Sequence, residues 1–216
     1  MSRKNTKERI FIEALRLFSE QGYKETTVRQ IAAAVPANEA TLYIYFDGKA
    51  KILEDILNMF ERKLDRCFFI ENSINANMQD EKPEKVLNRL RWNKVLENDM
   101  FMRQAFRIVC MEQFTNQKAE KLIVERLHIE MEKTLCLELN NLIEHKKIPA
   151  FDDTYTFAAL WVQNIFAEAV LLVHSPPGAE TVCKLAAVNA LLLDMAGNGG
   201  KPLGDGSHAS ACIARG

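Results

Sequence analysis

Apolar side chains recur every three to four positions through most of this chain, the spacing of helices that each bury one face. The first such stripe holds Ile10, Ala14, Leu17 and Phe18, widened by Phe11 and Leu15. Gly22 follows it and tolerates the left-handed conformation that closes many helices, so a helix is predicted from about Thr6 to Gln21. A second helix opens at Thr26 or Thr27, because Thr27 and Gln30 have the spacing of a capping box. It ends near Ala34, since Pro36 disfavours the helical conformation at Val35 and has no amide hydrogen to donate. Asn38, a favoured N-cap, then starts a short third helix carrying Thr41, Leu42, Tyr43, Tyr45 and Phe46 before Gly48. The result is helix, tight turn, helix, with the first helix supplying the apolar support that so small a pair lacks.

Beyond Lys49 the same periodicity predicts helices over 49–71, 84–97, 99–115, 118–145, 153–174 and 179–196. Polar or turn-forming stretches at 72–83, 146–153 and 175–178 separate them. No strand pattern competes, so the fold class is all-α. Residues 1–48 form a small N-terminal domain, 49–196 a larger helical one, and the glycine-rich 197–216, which has few core candidates, a disordered tail. The most apolar stretch, Phe157 to Val173, contains Gln163, Asn164 and Glu168. Those three argue for a helix buried against protein instead of lipid, and no membrane partner is expected.

Charge and composition add less. The overall formal charge of −1 divides unevenly: the first 50 residues hold eight basic and six acidic side chains, the bias expected of an end that approaches a polyanion. Cys67, Cys110, Cys136, Cys183 and Cys212 are scattered and odd in number, which fits a reducing cytoplasm and buried thiols better than a disulfide framework. The basic N-terminus is followed by no uninterrupted apolar run, so it does not read as a secretory signal. His128, His145 and His174 stand alone, which points to no metal site. With no nucleophile elbow, phosphate-binding loop or dinucleotide-binding glycine run, neither a cofactor nor an enzymatic activity is expected.

The most specific signal lies at residues 31–49, IAAAVPANEATLYIYFDGK. This segment resembles the signature of the TetR family of bacterial transcriptional regulators, I-A-x-x-A-G-V-S-x-G-T-L-Y-x-Y-F-x-x-K. Ile31, Ala32, Thr41, Leu42, Tyr43, Tyr45, Phe46 and Lys49 match without a gap, and LFSEQGYKETTV at 17–28 is similar to the family's L-F-x-E-x-G-Y-x-x-T-T-V. Val35, Pro36 and Ala37 depart from A-G-V, and Ala40 replaces a glycine. Proline cannot copy the left-handed glycine of the turn, and the added methyl at Ala40 is expected to alter operator preference without abolishing binding.

The resemblance implies a helix-turn-helix that reads operator DNA as half of a homodimer, followed by a ligand-binding and dimerisation domain. The N-terminal end of the third helix, with Asn38, Glu39, Ala40 and Thr41, would meet base edges in the major groove. Tyr43, Tyr45 and Lys49 would hold the DNA backbone, as would Thr27 at the start of the second helix, whose amides also favour an anion. Leu42 and Phe46 pack against the first helix instead. The helices at 153–174 and 179–196 would pair with their copies in a second subunit. The family's effector cavity usually lies among the helices that here carry Trp92, Phe101, Met102, Phe106, Cys110, Met111 and Phe114. With Trp161 these suggest a small, largely apolar effector that releases a repressor from a palindromic operator. An activator or a ligand-independent regulator is the near alternative; an all-helical enzyme would leave the motif a coincidence.

Overall fold

The computed structural model describes residues 3–35, 39–67, 91–150 and 153–174, and among these every regular element is helical. In chain order they are α1 (Arg3–Gln21), α2 (Val28–Ala33), α3 (Glu39–Tyr45) and α4 (Lys49–Asp65). A 3₁₀ turn at Trp92–Lys94 then leads into α5 (Val95–Asn98), α6 (Met100–Glu112) and α7 (Gln117–Lys121). A π-helical stretch, Leu122–Glu130, runs into α8 (Met131–Glu144), and α9 (Thr154–His174) follows. Asn38, the Pro36 turn, the expected helix at 179–196 and the tail at 197–216 lie outside the described residues.

Helix ends follow local chemistry. Gly22 closes α1 at φ 92°, its amide donating to the Phe18 carbonyl at 3.0 Å. Gly48 takes φ 124° between α3 and α4. The Asp99 side chain accepts from the Met102 amide, and this cap separates α5 from α6. Asn116 caps α7 through the amides of Lys118 and Ala119. The helix expected over 118–145 is continuous in path but underwound through the wide turns at 122–130.

The helices form two compact units. One comprises the chain up to Asp65 together with Glu97–Ile123, the other 66–96 with the chain from Val124 onward. In the first unit α1 packs on α2, α3, α4 and α6, and α4 packs on α6. Its core is Ile10, Ala14 and Phe18 of α1, Ile52, Ile56 and Phe60 of α4, and Met102, Phe106 and Val109 of α6, all without exposed surface. Each large member contributes roughly 1.5–3 kcal/mol by leaving water, and Phe60→Ala, which would also leave a cavity, would cost about 3–5 kcal/mol. Lys49, where the sequence motif ends, is therefore not a packing boundary. The apolar stripe of α4 completes the core that α1 begins, and the compact unit extends through α4 and takes in α6 and α7.

In the second unit α8 packs on α9, and α9 packs on the Trp92–Lys94 turn. Leu135 and Leu139 face a core that also holds Trp92, Leu127, Trp161, Ile165 and Ala169. By length and composition α9 is apolar enough to cross a membrane, with a mean hydropathy of 1.6 over Thr154–Val173. Here one of its faces is buried within its own unit, and its carboxylate, Glu168, is 5% exposed and hydrogen-bonded.

Candidate nucleic-acid interface

The turn leading into α2 is held by a dense set of polar contacts. Thr27 and Gln30 form the reciprocal capping box: the Gln30 amide donates to Thr27 Oγ1 at 3.2 Å, and the Thr27 amide donates to Gln30 Oε1 at 2.7 Å. Thr26, fully buried, donates its hydroxyl to the Gly22 carbonyl at 2.8 Å and accepts from Gln21 Nε2 at 3.0 Å. Lys49, at the start of α4, reaches back to the same turn. Its ammonium donates to the carbonyls of Tyr23 at 2.9 Å and Thr26 at 2.8 Å, and lies 4.3 Å from the centre of the Tyr23 ring. Lys49, which the TetR resemblance put against the DNA backbone, here holds the turn before α2. The lysine is spent on fixing where α2 begins, because carbonyls freed by the turn need a donor.

Helix α3 has two faces. Leu42 has no exposed surface and Phe46 only 3%, four residues apart and turned into the core as the spacing requires. Glu39 and Ala40 are exposed at its start and Thr41 is half-buried. Tyr43 is 56% exposed and Ile44 75% exposed. Tyr45 is half-buried and lines an open groove of about 690 Å³ with Lys7, Phe11, Phe46, Met59 and Arg62. The Lys7 ammonium sits 5.2 Å from the Phe46 ring centre. Ile44 was not singled out from sequence, although its place between two tyrosines and off the Leu42–Phe46 face carried the signal. A short helix that presents Glu39, Ala40, Tyr43 and Ile44 outward is equipped to lie against another surface.

Comparison with known proteins bears on what that surface is. Residues 10–56 match the model of the bacterial regulatory proteins of the tetR family. Over those residues the chain is similar to the TetR family. Over 72 residues the chain is 38% identical to the biofilm operon icaADBC HTH-type negative transcriptional regulator IcaR of Staphylococcus aureus, a match covering 33% of this chain and 35% of that protein. It is 40% identical over 58 residues to the uncharacterized HTH-type transcriptional regulator YuxN of Bacillus subtilis, covering 26% and 20%. The matches thus span about a third or less of these curated relatives. Among solved structures, the TetR family transcriptional regulator PfmR from Thermus thermophilus superposes with a TM-score of 0.61 at 21% identity, over 93% of this chain and 98% of that one. Salmonella enterica GusR gives 0.60 at 18% identity, over 89% and 95%. The TetR-family fold therefore extends well beyond the matched sequence.

The residues that the TetR resemblance suggested for an effector cavity fall into both units. Phe101, Met102, Phe106, Cys110 and Met111 are on α6 in the first. Phe101 stacks on Phe11 with ring centres 6.3 Å apart, and Phe106 stacks on Phe60 at 6.2 Å. Met102 is fully buried, while Met111 is 37% exposed and its methyl carbon lies 3.2 Å from where a Cβ on Gly22 would stand. Burial pushes the Cys110 thiol up to about 12, so it is no ready nucleophile. Phe114 is 89% exposed in the turn after α6, which removes it from any enclosed lining. Trp92 and Trp161 are buried in the second unit. What sequence reading missed there is an interior polar group, Arg91, Asn93 and Glu168, joined by hydrogen bonds of 2.7–3.0 Å. Glu168 had been visible only as a polar interruption of an apolar helix. Among the described residues no group of three or more His, Cys, Asp or Glu side chains gathers, and the His128 ring packs on Phe166 at 4.6 Å.

Proposed function

We propose that this protein is a transcriptional repressor that binds a palindromic operator as a homodimer in the cytoplasm and is released by a small molecule. The observation that carries the reading is the division of α3: Leu42 and Phe46 inside, Tyr43 and Ile44 outside, on a helix whose approach is fixed by the Thr27–Gln30 cap and the Lys49 clamp. Base edges are assigned to Asn38, Glu39, Ala40 and Thr41, and backbone contacts to Thr27, Tyr43 and Tyr45, with Ile44 added as an apolar contact. Lys49 is assigned a positioning role. The DNA-reading residues lie within 1–48, supported by α4 and α6, and effector binding and pairing are assigned to the chain from 49 to 196.

Relatives support the direction of regulation: IcaR is a negative transcriptional regulator, and one structure of the same fold is a gamma-butyrolactone receptor. Pairing through α9 and residues 179–196 is supported by Tyr155 and Leu160, 61% and 56% exposed on the outer side of α9. Two copies spaced about 34–36 Å apart would read successive major grooves.

Gel retardation with a palindrome from the protein's own upstream region tests the reading. Binding should weaken about 10³-fold or more between low and physiological salt, and Tyr43→Ala should weaken it on every sequence. A protein that retards no duplex at low salt would sink the proposal.

A further inference from the structure

The second unit turns polar side chains inward at one place. The Glu168 carboxylate accepts from Arg91 Nη2 at 3.0 and 2.8 Å and from Asn93 Nδ2 at 2.7 Å. Two polar atoms of this network, Asn93 Oδ1 and Arg91 Nε, have no hydrogen-bond partner among the described residues, and neither has Trp161 Nε1 on the same helix as Glu168. Asn93 and Trp161 are both fully buried. Buried donors and acceptors are almost always paired in folded proteins, because an unpaired one has lost its water for nothing. Trp161 and Glu168 are seven residues apart on α9, two turns, so they share one face, with buried Ile165 between them and Phe157 one turn before Trp161. The Trp92–Lys94 turn that carries Asn93 packs on this helix.

The chemistry of the unpaired set is specific. Asn93 Oδ1 needs a donor; Trp161 Nε1 and Arg91 Nε each need an acceptor. Arg91 and Glu168 already neutralise one another, so a charged group brought here would be desolvated without a counter-ion of its own. We propose that this cluster holds the polar head of the effector, an uncharged group with both an N–H donor and a carbonyl acceptor, of the carboxamide class, on an apolar body lying along Phe157, Trp161 and Ile165. This adds a polar head to the largely apolar effector expected from sequence. It rests on the regulator reading for its role, though not for its binding chemistry.

The full-length protein is titrated with short to medium n-alkyl carboxamides and with methyl ketones of matched length, which accept but do not donate. Binding is followed by thermal melting and by tryptophan emission, since both tryptophans of the chain, Trp92 and Trp161, lie in this unit. At least one carboxamide should bind about tenfold more tightly than its ketone. Asn93→Leu should abolish that ratio, and Trp161→Phe, which keeps a ring and removes the N–H, should weaken carboxamide binding even if the leucine variant fails to fold. Absence of binding across the series, equal affinity for amide and ketone, or a ratio that survives both substitutions overturns the inference. Gel retardation on the same preparation separates the two ideas. Intact operator binding without amide preference sinks the head-group assignment alone, whereas amide preference without operator binding sinks the regulator.

Discussion

Polar side chains serve the two units in opposite ways. In the first they work at helix ends: Thr27 and Gln30 cap α2, Asp99 caps α6, and Lys49 closes the turn between α1 and α2. Each contact spans a modest length of chain or sits near water. In the second unit Arg91, Asn93 and Glu168 meet in the interior across 75 or more residues. Caps share their work among many small contributions. A buried ion pair concentrates its energetics, because removing one member strands the others away from solvent. The difference teaches where each unit tolerates change: the first unit should lose stability gradually as its polar residues are replaced, and the second unit abruptly.

Four substitutions test that contrast. Glu168→Ala should have the largest effect, about 3–5 kcal/mol lost in chemical denaturation, since it leaves Arg91 and Asn93 buried without their acceptor. A loss under about 1 kcal/mol would place the group in effective contact with water and erase the contrast. Lys49→Met should cost about 1.5 kcal/mol by removing a charged donor from two close carbonyls, and should weaken operator binding by displacing α2. Melting and gel retardation measured together would show both. Thr27→Ala removes one half of the capping box and should cost about 1 kcal/mol, read as a lower melting temperature, with Thr27→Ser retaining most of the stability.

The smallest effect concerns acid. Burial pushes the Asp99 carboxyl up, but hydrogen bonds from Lys63 and from the Met102 and Phe101 amides outweigh it and hold the group below its ordinary value of 3.8. The folded state thus favours the ionised form. Its contribution is fully present above the unfolded pKa and fades as pH falls through the lower, folded one. Urea midpoints of the wild type and Asp99→Asn should therefore converge in strong acid and differ near neutrality.

Local signals made the first three helices legible. Gly22, the Thr27–Gln30 pair and the Leu42–Phe46 spacing act within a few residues, so pattern alone recovers α1, α2 and α3 to within a few positions. α1 begins at Arg3 and not near Thr6, while the far end of the helix expected over 49–71 lies outside the described residues. The bonds of Lys49 to the turn were illegible because its partners are carbonyls 23 and 26 residues upstream, and nothing in a motif tells a lysine that reaches outward from one that reaches back. The Arg91–Asn93–Glu168 group was illegible for a related reason: periodicity shows which face of α9 is apolar, but not that a carboxylate on that face finds a guanidinium from a distant turn. The membership of α6 in the first unit was hidden likewise, since Met102 and Phe106 look equally suited to any core.

Gly22 and Gly48 both lie at positive φ, yet they differ in what surrounds them. At Gly22 the methyl of Met111 stands close by, whereas a Cβ at Gly48 would meet nothing within 4 Å. Only handedness, not room, excludes other residues at Gly48. A mirror-image amino acid installed there by chemical synthesis would be accepted where its natural enantiomer is strained, and by narrowing the freedom of the unfolded chain it would lock the hinge between α3 and α4 more firmly than glycine does.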